Sequence, residues 1–150
     1  MNGRAGEGPV ACPALLHGCF ADALNLGSMV SMSTLARIRQ ARHESWLAEL
    51  RRKTEEVGQA CVKQGIGIEE VLLFGSRARG DFDGHSDVDL IAVGSTQQDA
   101  EAVADALTDA HLGDDLIAMS RDSWQRKAHA SHPTWRATFS EAVPLFQRDP

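Results

Sequence analysis

The sequence predicts a small α/β (α+β) domain: one sheet with flanking helices. Three observations carry that expectation. Short apolar runs at Val71–Phe74, Val88–Val93 and Leu116–Met119 have the length and composition of buried strands. The segment between the second and third, Gln97–Ala110, spaces Ala100, Val103, Ala104 and Leu107 along one helical face. A long helix-forming stretch precedes the first strand, and a helical tail follows the third. A length of 150 residues suits one domain with a modest core.

In chain order, Ser33 or Thr34 offers an N-cap to a helix running to about Gln64. Its apolar residues Leu35, Ile38, Leu47, Leu50, Val57 and Cys61 fall near helical spacing, as one helix or as two joined near His43–Ser45. Gly65 and Gly67 end it. The strand Val71–Phe74 leads into the turn-rich Gly75–Gly84, where Ser76 could open a short helix. After the Val88–Val93 strand, the Gln97–Ala110 helix and the Leu116–Met119 strand, a helix is expected over Ser123–Ala130. His132-Pro133 breaks it, a last helix spans Trp135–Ala142, and Val143–Phe146 closes as a short strand. Residues 1–33 are rich in Gly, Ala and other small residues without a period, and read as a disordered or poorly ordered extension ahead of a 34–150 domain. Met29 and Met32 lie just before the first strongly helical segment, so part of the extension could reflect an upstream start codon.

Charge and cysteines narrow the function classes. The net charge of −6 argues against stable nucleic-acid binding. From Asp81 to Ser120 there are ten acidic residues and no Lys or Arg, a distribution that suits equally a solvated surface or a site that recruits cations. Cys12, Cys19 and Cys61 are odd in number and have no paired spacing, which suits reduced thiols in a cytoplasmic protein, with Cys61 in the core. No apolar run approaches the roughly 18 residues that span a bilayer.

The chemistry concentrates between Phe74 and Leu90. Strand alternation puts Asp87 and Asp89 on one face, with Val88 and Leu90 on the other. Two carboxylates that close repel unless a cation lies between them, and a hard, oxygen-seeking ion such as Mg²⁺ or Mn²⁺ resolves the conflict. Upstream, Gly75 permits close backbone approach, Ser76 offers a hydroxyl and N–H groups to phosphate oxygens, and Arg77 and Arg79 add positive charge. An anion-binding turn beside a cation-binding pair is what a metal–triphosphate complex requires. Two-metal phosphoryl transfer commonly adds a third carboxylate. Asp115 is preferred over Asp114 because it lies directly against the apolar run of the third strand. Asp81, Asp83 and His85 read as solvated loop residues. Trp46, Trp124 and Trp135 read as core or interface anchors, and Arg121, Arg126, Lys127 and Arg136 as a positive rim whose convergence the spacing does not establish.

Gly75-Ser76, ten residues, then Asp87-Val88-Asp89 resembles the G-S-x10-D-x-D signature of the DNA polymerase beta-like nucleotidyltransferase superfamily. The stretch FGSRARGDFDGHSDVDL, with Ser86-Asp87-Val88-Asp89-Leu90 in the S-D-x-D-L pattern, is similar to its small single-domain members, the minimal nucleotidyltransferases. The similarity is tight over about 25 residues and extends from about Leu35 to Phe146; residues 1–33 have no counterpart. It implies that fold, with a small mixed sheet. It further implies a nucleoside triphosphate, ATP or another, bound by Gly75 and Ser76 with Arg77, Arg79 and Ser86 beside it. Mg²⁺ (two ions, or Mn²⁺) would be held by Asp87, Asp89 and Asp115, with Asp115 helping to activate an acceptor hydroxyl.

The resemblance implies NMP transfer, most simply AMP from ATP. Many such small proteins are antitoxins of a helical HEPN-type RNase toxin, and the chain lacks room for a large acceptor-gripping domain. A HEPN-type partner protein, or a second protomer, is therefore expected to bring the acceptor. The alternatives are a non-catalytic antitoxin or regulatory module that acts by binding, and transfer to a small molecule of the aminoglycoside type.

Overall fold

The computed structural model describes residues 33–129 and 132–149. The expected extension therefore lies outside the described residues except for Ser33, as do Cys12 and Cys19. Helix α1 spans Thr34–Lys63 as one uninterrupted helix rather than two. No proline interrupts it, and Arg52 bridges to Glu49 and Glu56 on its outer face. Its buried residues Leu50, Thr54, Gly58 and Cys61 form a single stripe. Gly58 belongs to that stripe because of close approach: a Cβ there would meet the Phe146 ring at 2.5 Å.

Strand β1 is Ile68–Phe74, three residues longer at its start than the apolar run. Glu69 and Glu70 disguised that beginning. In the folded chain Glu69 pairs with Arg121 at 3.0 Å and accepts from the Ser95 hydroxyl at 2.7 Å, which suits it to a strand end. Helix α2 is the short Gly75–Arg79 turn, and β2 is Asp89–Gly94. Asp87 and Val88 thus precede the ladder instead of lying within or at the start of a strand. Helix α3, Gln97–Asp109, opens with a capping box between Thr96 and Asp99. Strand β3 is Asp115–Ser120, and α4 is Arg121–Ala128, capped by the Ser120 side chain. Helix α5, Pro133–Glu141, begins on the proline expected to break a helix, because the first helical position needs no N–H partner. Strand β4 is Val143–Gln147.

The sheet is mixed, in the order β3-β2-β1-β4. β1 pairs antiparallel with β2 and β4, while β2 and β3 run parallel, joined by the α3 crossover. One face, with Val71, Leu73, Leu90 and Ala92, packs against α1 and α3. The other, with Leu72, Ile91, Val93 and Met119, is covered by Trp124 of α4 and Phe139 of α5, whose rings stack at 3.8 Å. Cys61 is a buried free thiol, raised in pKa by that burial. No described helix is long and apolar enough to cross a membrane.

Candidate active site

Three chain segments meet at one end of the sheet. Asp89, the first residue of β2, lies opposite Phe74 in the antiparallel ladder and opposite Asp115 in the parallel one. Residues directly opposed in a ladder share a face. Asp89 and Asp115 therefore project together, from the α4 and α5 side of the sheet that carries Ile91, Val93 and Met119. On the other flank, β1 turns at Gly75. That glycine has φ +76°, and a Cβ there would sit 2.2 Å from Asp89 Oδ2. The Gly-Ser turn and the aspartate strand thus touch in a way only glycine allows.

The electrostatics agree with the geometry. Burial raises the pKa of Asp89 above its ordinary value, and repulsion from Asp115, Asp87 and Asp114 adds to the rise, with Arg79 opposing it. Four carboxylates are thus close enough to couple. Asp87 and Asp115 are exposed, and among the described residues their carboxylates have no hydrogen-bond or ion-pair partner. Asp114 differs: its Oδ2 accepts the Val88 N–H at 2.8 Å. Among the described residues, no group of three or more His, Cys, Asp or Glu side chains is arranged so that it could hold a metal ion. The chemistry of the donor set nonetheless fits a hard divalent ion: all-oxygen, anionic, partly buried and mutually repulsive.

Three residues expected beside the nucleotide have protein partners. Arg77 is half-buried; its Nε donates to the Ser86 carbonyl at 2.8 Å, and its guanidinium lies over Trp46 and Phe82 at 4.7 and 5.3 Å. Arg79 pairs with Asp81 at 3.1 Å and Glu141 at 3.3 Å. The Ser86 hydroxyl accepts from the Asp83 N–H at 3.0 Å and donates to Asp83 Oδ1 at 3.1 Å. Asp83 also accepts the His85 N–H, and these bonds hold its carboxyl below the usual range. The loop between turn and strand is therefore an ordered bracket. Ser76 stands at the start of α2, directly after Gly75, where the first N–H groups of a helix have no intrahelical acceptor.

Sequence reasoning missed the aromatic support of that bracket. His43 lies 4.6 Å from the Phe82 ring and 5.6 Å from Trp46, so α1 buttresses the loop through three rings and Arg77. Phe82, an apolar residue within a polar turn, was the available signal. Trp135 carries Lys127 over its ring at 4.0 Å, and Arg126 bonds Ser123, so the basic residues of α4 do not converge on the carboxylates.

The family model described as polymerase beta, nucleotidyltransferase, matches residues 55–149. Among solved structures, a proposed nucleotidyltransferase from Sulfolobus solfataricus is 19% identical, covers 71% of this chain and 87% of its own, and has a TM-score of 0.44. A toxin–antitoxin structure with AMP-PNP is 16% identical, covers 62% of this chain and 73% of its own, and has a TM-score of 0.39. No curated protein matches the chain.

Proposed function

The chain belongs to the polymerase beta nucleotidyltransferase family, and from that premise we propose that it transfers an NMP group, most simply AMP from ATP, to a hydroxyl on a partner protein. The observation that carries this reading is the position of Asp89, with Gly75 against its carboxylate on one side and Asp115 opposite it on the other. A triphosphate on the Gly75-Ser76 turn would lie beside the carboxylates.

Asp87, Asp89 and Asp115 would hold the divalent metal, which when bound neutralises the triphosphate and lowers the pKa of the attacking hydroxyl. Asp115 is exposed and stands at the outer side of the trio on edge strand β3. That position is open to an incoming acceptor, and its carboxylate takes the hydroxyl proton. The acceptor oxygen bonds to the α-phosphorus as the bond to pyrophosphate breaks. Ser76 and the backbone N–H groups that follow Gly75 hold phosphate oxygens.

The partner is a helical protein, and the role is antitoxin action against a HEPN-type toxin, as the resemblance of Ser86–Leu90 to the minimal nucleotidyltransferases implies. The test combines the purified protein, ATP, Mg²⁺ and the product of the adjacent gene. A mass gain of one or more AMP units on that product is expected. No gain on any partner would sink the modifying role. If neutralisation of the partner survives Asp87→Ala with Asp89→Ala, binding alone accounts for it.

A further inference from the structure

We propose that Asp114 is a positioning residue: its carboxylate clasps the middle peptide of Asp87-Val88-Asp89 and so fixes the metal-facing aspartates, without itself serving as a ligand. This rests on the reading of those aspartates as the metal-binding set.

The need for such a clasp comes from where β2 begins. Its ladder starts at Asp89, so Asp87 and Val88 receive no support from sheet pairing. Their backbone would otherwise be a loop, and a loop holds a ligand poorly. The turn between α3 and β3 supplies the missing bonds. Asp114 Oδ2 accepts the Val88 N–H at 2.8 Å. In return, the N–H groups of Asp114 and Asp115 donate to the Val88 carbonyl at 2.9 and 3.3 Å. Both polar groups of Val88 are thus held by the two residues that lead into β3. Its side chain packs against the core on the α1 side.

The same contact separates Asp114 from Asp115. One carboxylate spends an oxygen on the backbone of the metal strand; its neighbour has none so engaged and sits opposite Asp89. Partners that orient ligands matter nearly as much as the ligands themselves.

Asp114→Asn keeps an oxygen that can accept the Val88 N–H and removes the charge, whereas Asp114→Ala removes the acceptor. The experiment uses the full chain, ¹⁵N-labelled, with Mn²⁺ as the probe. Amide exchange at Val88 is expected to be slow in the parent and in Asp114→Asn, and faster in Asp114→Ala. Mn²⁺ affinity should fall about tenfold or more in Asp114→Ala, recover in Asp114→Asn, and fall in Asp115→Asn. Equal Mn²⁺ losses in Asp114→Asn and Asp115→Asn would make Asp114 a ligand and overturn the proposal. Unchanged Val88 exchange in a folded Asp114→Ala would overturn it too. If Asp114→Ala fails to fold, the comparison of the two asparagine variants decides. A parent chain that binds no Mn²⁺ overturns the metal-site reading, while Val88 exchange still decides whether the clasp exists.

Discussion

Gly75 and Gly80 both have φ near +79° or just below it, at +76° and +79°, yet only one has a neighbour in the way. Alanine at either position incurs the left-handed backbone penalty, about 1–2 kcal/mol. A Cβ at Gly80 meets nothing within 4 Å, while at Gly75 it collides with Asp89. Gly80→Ala is therefore expected to lower stability and leave Mn²⁺ and nucleotide binding intact. Gly75→Ala should impair both, and equal binding in the two variants would refute the proposed contact. Asp89 allows a second prediction. Its raised pKa means that folding favours its protonated form. That contribution is fully present below the ordinary carboxylate pKa and is lost as pH rises through the raised one. At neutral pH the metal-free chain carries the repulsion, and Asp89→Asn should raise its melting temperature. In the parent, a divalent ion at ten times its dissociation constant should add about 1.4 kcal/mol. That gain should vanish in Asp89→Asn and shrink as the solution is acidified. A parent that gains nothing from the ion at neutral pH would contradict the site.

At the scale of elements, the start of α3 is tied to the entry of β1 and to β3. Thr96 accepts the Asp99 N–H, and Asp99 accepts from the Thr96 backbone and hydroxyl and from the Gly67 N–H at 3.0 Å. Gln97 donates to the Ala118 carbonyl and accepts the Ser120 N–H of β3. The Gly67 bond, and then those from Thr96, hold the Asp99 carboxyl below its usual range. Its contribution is thus present above the ordinary carboxylate pKa and is lost as pH falls through the lowered one. Thr96→Ala should cost about 1 kcal/mol in denaturant unfolding, without altering metal binding at the far end of β2. A loss of metal affinity larger than the stability change would contradict this separation.

For the whole molecule, α1 is unevenly used. Its second half, with Leu50 6% exposed, packs against the sheet, whereas Leu35 and Ile38 near its start are 79% and 45% exposed. Leu50→Ala should cost about 2–4 kcal/mol. Leu35→Ser with Ile38→Ser should stay within about 0.5 kcal/mol per site, as read by thermal unfolding. If the double variant instead abolishes binding of a helical partner while remaining as stable as the parent, those residues belong to the acceptor interface.

Much of this was legible in the sequence, because it depends on local pattern. Strand alternation separates Asp89 from Leu90, helical period builds the buried stripe of α1, and the spacing marks Gly75 and Asp89, which the fold brings into contact. The departures came where distant residues supply what local propensity lacks. Glu69 extends β1 because Arg121 and Ser95 meet it, and Pro133 starts a helix instead of ending one. Arg77 faces Trp46, Phe82 and Ser86, contacts set by how α1 crosses the loop. The largest decision left to tertiary structure concerned two adjacent aspartates of identical chemistry. The β2–β3 register puts Asp115 opposite Asp89, and the preceding turn hands the Asp114 carboxylate to the Val88 N–H. Register is a property of two strands together, so neither strand's sequence states it alone.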